Sequence, residues 1–182
     1  IADAFYLQKD NKRAIEFYDK AIKYNKFDTD YAIFQIAVCY GLDGKNASKV
    51  ETLKAMLSNY PETDFAADAK YEIAETYFFQ DKAQEAIEYF DLVISEHPNS
   101  SYVRKAKLNK GLLFYNQSSD ELALPLFEDV AENYPATEEA KESLMKIQKI
   151  YVEKGDVLGF EQYITDNNFP DITTGALDTS YY

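Results

Sequence analysis

Residues 71–98 read YEIAETYFFQDKAQEAIEYFDLVISEHP, and this stretch decides the fold. Tyr71, Ile73, Ala74, Tyr77 and Phe78 recur at helical intervals, and so do Ala86, Phe90, Val93 and Ile94, so each set lies along one side of a helix. Between the two sets, Gln80-Asp81-Lys82 interrupts the apolar pattern. After the second set comes Pro98, which cannot continue a helix because it lacks the N–H and clashes with the preceding turn. The stretch is a pair of amphipathic helices joined by a short polar break.

The pair recurs along the chain. Tyr60-Pro61, His97-Pro98 and Tyr134-Pro135 stand 37 residues apart, and the same interval links Tyr40, Tyr77, Phe114 and Tyr151. It also links Leu53, Phe90, Phe127 and Ile164, and again Ile36, Ile73 and Ile147, whereas Phe5 precedes Tyr40 by 35. Columns of bulky apolar residues at one fixed period mark stacked structural repeats. Gly44 and Gly155 sit in breaks between paired helices, where a left-handed residue ends a helix readily. Thr63, Ser100 and Thr137 follow each Pro by two residues and are read as N-caps. Glu138 and Glu139 suit the first turn of the next helix, where the dipole favours negative charge. The expected pairs are 1–9 with 12–25, 30–42 with 46–59, 64–80 with 82–96, 101–117 with 119–133, and 138–154 with 156–167.

These columns resemble the tetratricopeptide signature, W-x2-L-G-x2-Y…A-x3-F…P. Ile73, Ala74, Tyr77, Ala86, Phe90, Val93 and Pro98 match it at the family's spacing, as do Gly111, Phe114, Ala123, Phe127, Val130 and Pro135. The second pair matches with Ile36, Ala37, Tyr40, Leu53, Met56 and Pro61, but has Lys49 where a small residue belongs. The fifth has Phe160 there, and the first matches through Phe5, Ala14, Tyr18 and Ala21. The resemblance implies an all-α fold, a right-handed α–α superhelix of about five hairpins over residues 1–167. Residues 168–182 read as a tail or as the start of a further, truncated repeat, so that the chain is a window from a longer array. Phe5, Tyr6, Phe160, Tyr163 and Ile164 would then be exposed at uncapped ends, through which copies could associate. The period and the aromatic-Pro links are also similar to repeats of bacterial cell-envelope proteins, and the tail to long repeat proteins of Bacteroidetes. That likeness alone implies a periplasmic or outer-membrane-associated setting.

Composition narrows the function. The net charge is −13, which argues against nucleic acid and anionic membrane surfaces as partners, since both are met by basic faces. There is one Cys and one His, so the usual zinc sites cannot form, and no Gly-rich phosphate loop or G-x-S-x-G motif is present. No apolar run is long enough to cross a bilayer. His97 stands in a column otherwise filled by Tyr60 and Tyr134 and is read as their structural substitute. Cys39 is read as a semi-buried, inert thiol. No catalytic residue, cofactor or metal is expected, and the chain reads as a non-enzymatic scaffold that binds a protein or peptide. The rival is an all-helical, carbohydrate-active enzyme using carboxylate pairs such as Glu85 with Glu88 or Glu128 with Glu132, although helical spacing alone makes such pairs common.

The resemblance also implies where a partner would bind. In the family, the leading helix of each pair lines a concave groove. The corresponding positions here are Tyr31, Phe34, Val38 and Leu42; Tyr71, Glu75, Phe78 and Phe79; Leu108, Leu112, Tyr115 and Asn116; and Met145, Lys149 and Val152. Such a groove is apolar and aromatic, suited to a peptide with bulky anchors. The competing reading is that several of these rings pack against the next repeat. The ninth positions, Asp3, Val38, Glu75, Leu112 and Lys149, lack the Lys and Asn set that clamps a carboxylate terminus.

Overall fold

The computed structural model describes residues 1–24 and 28–169. The described residues form helices and no strand: α1 (Ala2–Leu7), α2 (Asn11–Tyr24), α3 (Thr29–Leu42), α4 (Asn46–Asn59), α5 (Ala66–Phe79), α6 (Ala83–Glu96), α7 (Tyr102–Asn116), α8 (Asp120–Asn133), α9 (Glu138–Glu153) and α10 (Val157–Asp166). Odd-numbered helices lead each pair and even-numbered helices trail. The chain divides into two compact units, Ile1–Ala106 and Lys107–Tyr182, with the boundary inside α7.

One device closes every pair. The second residue after each leading helix adopts a left-handed conformation: Lys9 (φ 61°), Gly44 (72°), Asp81 (57°), Ser118 (57°) and Gly155 (71°). The next N–H then reaches back to the carbonyl of the aromatic column. Asp10 donates to Phe5, Lys45 to Tyr40, Lys82 to Tyr77, Ser119 to Phe114 and Asp156 to Tyr151, at 2.8–3.0 Å. This is the Schellman closure, which satisfies carbonyls that a helix end leaves unpaired. Only two of its five left-handed positions carry Gly, so Lys9, Asp81 and Ser118 hold the conformation against the steric cost of a Cβ.

The expected caps hold in one place. Thr137 Oγ1 accepts from Ala140 N at 3.2 Å and caps α9, whose first turn carries Glu138 and Glu139. Thr63 and Ser100 do not cap α5 and α7. A further turn intervenes, and their hydroxyls accept instead from Phe65 N (3.3 Å) and Tyr102 N (3.2 Å), two residues on. α8 runs through Pro125, which forgoes one intrahelical bond.

Inside the first unit, Ala14, Tyr18, Ala32, Ile36 and Cys39 form one buried cluster, and Ala37, Val50, Leu53, Met56, Ala69 and Ile73 another. Lys49, in the small-residue column, fits because Gly41 faces it: a Cβ on Gly41 would lie 3.0 Å from Lys49 Cδ. The Lys49 side chain is largely buried and its ammonium meets Glu72 Oε2 at 2.6 Å. In the second unit the core comprises Leu108, Ala123, Phe127, Ala131, Leu144, Ile147, Ile150, Phe160 and Phe169. Phe160 is therefore buried, not exposed at an open end. Asn168 turns left-handed (φ 53°) after α10, Phe169 N donates to Ile164 O at 3.2 Å, and the Phe169 ring tilts against Tyr163. The expected tail or sixth repeat lies, beyond Phe169, outside the described residues. At the other end Phe5 is half-buried, stacked on Phe17 with centroids 5.1 Å apart.

Replacing Asp81 or Ser118 by Gly should raise stability by about 1 kcal/mol each, because the left-handed strain is removed. Gly155→Ala should lose about as much. Urea midpoints check both; a lower midpoint for Asp81→Gly would contradict the closure described here.

Candidate functional site

The faces of the leading helices differ sharply in what they leave exposed. In the first unit, Leu7, Leu42 and Phe79 are the last residues of α1, α3 and α5, and they are 78%, 62% and 75% exposed. They occupy one position of the repeat, so three large apolar side chains follow one another along the ends of successive leading helices. Leu7 was missing from the sequence-derived set, although stepping back from Leu42 by the shorter first interval reaches it. Phe78 is half-buried and lies edge-on to both Phe79 (5.5 Å) and Phe90 (6.4 Å).

Other expected residues of this unit serve packing. Tyr71 is only 5% exposed, stacked on Tyr102 at 4.7 Å and tilted against Phe90. Phe34 stacks on Phe65 at 5.4 Å and Tyr31 tilts against the same ring at 5.7 Å. Val38 is half-buried. Several of the aromatics expected to line a groove thus pack onto the next pair.

Tyrosine hydroxyls tie carboxylates into this unit. Tyr18 and Tyr31 both donate to Asp3 Oδ1, at 2.5 and 3.0 Å, Tyr102 donates to Asp68 Oδ1 at 3.0 Å, and Tyr71 to Glu75 Oε1 at 3.1 Å. Burial, then the neighbouring carboxylate, pushes the Tyr18 and Tyr31 phenols up, and drives Tyr102 up to about 12.

In the second unit the leading face is mixed. Leu108 is buried and Leu112 packs on the core, while Asn116, Met145, Lys149 and Val152 are exposed. Tyr115 donates to Glu153 Oε1 at 3.1 Å, and the ammonium groups of Lys146 and Lys149 each lie 5.4 Å from its ring centroid. The contact with the Tyr115 hydroxyl, together with the Glu153 carboxylate, holds the Lys149 ammonium above its ordinary value. Met145 and Lys149 line one shallow depression with Glu138, Lys141, Glu142 and Lys146.

The residues singled out for chemistry have structural roles. His97 Nε2 lies 2.9 Å from Lys70 Nζ, and burial and that ammonium lower its pKa, so the neutral ring accepts from Lys70 and carries its proton on Nδ1. Cys39 is buried, and burial pushes its thiol up. Glu85 and Glu88 are exposed on α6. Glu132 accepts from Tyr163 at 3.3 Å, and half-buried Glu128 is held above the usual carboxylate range by burial and by Glu132.

The tetratricopeptide repeat family matches residues 31–63 and 68–100, and a second description of the repeat matches residues 1–28. The chain belongs to the tetratricopeptide repeat family. The family consists of protein-interaction scaffolds and is in general non-enzymatic. No curated protein matches by sequence. Among solved structures, a crystal structure of MamA superposes with a TM-score of 0.71 at 20% identity, covering 92% of each chain. MamA from Desulfovibrio magneticus gives 0.69 at 13% identity over 92% of this chain and 89% of that one. YrrB, described as a tetratricopeptide protein with an unusual peptide-binding site, gives 0.68 at 16% identity over 100% and 89%. At such identities the likeness establishes the all-helical, solenoid-type repeat fold. No described helix is long and apolar enough to cross a membrane.

Because Glu128 has a raised folded-state pKa, its ionisation costs stability at neutral pH, and the cost is absent below its ordinary value of 4.5. Glu128→Gln should therefore raise the melting temperature at neutral pH, and the gain should vanish as the pH falls below 4.5. Melts across that range check this; a gain undiminished in acid would contradict it.

Proposed function

We propose that this protein is a non-enzymatic scaffold that holds a peptide segment of a partner protein on the leading-helix face of its first unit. The observation that carries this reading is the apolar edge formed by Leu7, Leu42 and Phe79. Large apolar side chains left in water at one repeated position are what an anchor-based peptide site requires, whereas isolated exposed apolar residues need no explanation. Val38 and Phe78, half-buried one turn back or beside them, extend the apolar surface. Tyr31, Phe34 and Tyr71 support it from beneath by packing onto the following pair. On the second unit, Leu112, Tyr115, Asn116, Met145 and Lys149 offer a more polar surface for the same role, with Leu108 beneath.

The enzymatic alternative gains no support. Of its carboxylate pairs, one is exposed on α6 and the other lies beside tyrosines of the last pair. Nucleic acid is an unsuited partner for a chain of net charge −13.

The test separates the edge from exposed apolar residues elsewhere. Phe78 and Leu112 are poor choices for it, since both pack on core residues and a charge there would cost stability. Leu42→Ser with Phe79→Ser should abolish capture of the partner by the tagged protein from its own cells. Leu122→Ser with Leu158→Ser, exposed positions on trailing helices, should leave it intact. Full capture by the Leu42/Phe79 variant would contradict the reading.

A further inference from the structure

The apolar edge of the first unit is bordered by carboxylates that no described cation neutralises. α1 and α3 carry Asp3 and Asp30 and neither Lys nor Arg; α5 carries Asp68, Glu72 and Glu75 against one Lys70. Lys70 is drawn to Glu96 and His97 instead, and Glu72 is matched by Lys49. The four remaining carboxylates are held by neutral hydroxyls. Asp3 accepts from Tyr18 and Tyr31, Asp30 from Thr63 at 2.5 Å, Asp68 from Tyr102 and Glu75 from Tyr71. A hydroxyl donor fixes the position of a carboxylate but leaves its charge whole.

Position joins this charge to the edge. Asp3 precedes Leu7, and Glu75 precedes Phe79, by four residues, which puts each pair on one side of its helix one turn apart. Asp68 lies two turns before Glu75 on the same side. Each of these two leading helices therefore presents an exposed apolar tip with an oriented, unneutralised carboxylate immediately behind it. α3 places Val38 one turn behind Leu42 and carries no charged residue there.

We propose that the segment held on this edge is cationic, with Lys or Arg residues spaced between bulky apolar side chains. The apolar side chains seat on Leu7, Leu42 and Phe79, and the cations meet Asp3, Asp68 and Glu75. The proposal rests on the edge being the binding site and adds the chemistry of the occupant. An acidic or neutral segment would leave these carboxylates desolvated beside it without compensation, which disfavours it.

The probes are two fluorescent amphipathic peptides of identical length, one of leucine and lysine and one of leucine and glutamate, titrated at about 0.15 M salt, where the Debye length is about 8 Å and diffuse attraction is screened. The leucine–lysine peptide should bind the full chain. Asp3→Asn, Asp68→Asn and Glu75→Gln together should weaken it roughly tenfold. Glu51→Gln, Glu85→Gln and Glu88→Gln, the same charge change on exposed trailing-helix positions, should leave it within about twofold. Thermal melts establish that both triple variants are folded. Glu75→Lys alone, which leaves the Tyr18–Asp3–Tyr31 contacts untouched, should also weaken binding. Equal weakening by both triple variants would overturn the proposal by assigning the affinity to net charge. Preference for the leucine–glutamate peptide, or binding of neither peptide, would also overturn it. Phe79→Ser distinguishes the two levels: if it abolishes binding of the leucine–glutamate peptide, the edge stands and the cationic occupant falls. If a bound peptide is indifferent to Phe79→Ser, the edge itself is excluded.

Discussion

The close approach of the two helices within a pair is the constraint on which the rest depends. It is most explicit at Gly111, where an added Cβ would lie 2.7 Å from Cε1 of Phe127. No side chain fits there, so the Phe127 ring rests directly on the backbone of α7 and is completely buried. Ala37 and Ala74 hold the same place in α3 and α5 and are likewise fully buried. A small residue on the leading helix and a large one on the trailing helix form one complementary contact, which recurs in the second, third and fourth pairs, while α9 carries Gln148 at this place. A second column, of small residues on the trailing helices, is broken by Lys49 and compensated locally, since Gly41 opens space for it and Glu72 receives the charge.

Once that contact is set, the orientation of everything else follows. The Schellman closure fixes the turn out of each leading helix, and its acceptor is the aromatic column itself. The aromatic side chain packs within the repeat while its backbone carbonyl ends the helix. The leading helices are thereby oriented so that their final residues emerge into solvent at matching places of the repeat. In the first unit those residues are Leu7, Leu42 and Phe79; in the second they are Asn116 and Glu153. The repeated architecture presents the edge, and the side chains at one column decide whether it is apolar, as in the first unit, or polar, as in the second.

Much of this was legible in the sequence. The period, the pairing and the helix limits follow from the apolar columns and from Pro61, Pro98 and Pro135, because buried positions tolerate little variation and these three prolines stand just past the ends of α4, α6 and α8, whereas Pro125 lies inside α8. Phe79 and Leu42 were recognisable as leading-helix positions for the same reason. What was not legible depends on facing residues rather than on spacing. Tyr71 and Phe79 are both aromatic on one helix, yet one is packed against Tyr102 and Phe90 and the other stands in water. Thr63 and Ser100 resemble Thr137 in sequence, but an extra turn before α5 and α7 moves their hydroxyls out of capping position. The left-handed residues at Lys9, Asp81 and Ser118 escaped notice because they are not glycine, and the burial of Phe160 because it depends on the residues that face it, among them Tyr151.

The measurement that tests the central contact most directly is a double-mutant cycle on Gly111 and Phe127. Gly111→Ala alone should destabilise the chain by about 1–3 kcal/mol through overpacking, because the ring has no free space into which to retreat. Phe127→Leu alone should also destabilise it, by removing buried ring volume. If the backbone of α7 rests on that ring, a smaller leucine side chain at position 127 should accommodate the added methyl. The double variant should then be more stable than the sum of the two losses predicts, by at least about 1 kcal/mol. Strict additivity, or a Gly111→Ala variant as stable as the parent in urea unfolding, would contradict the account.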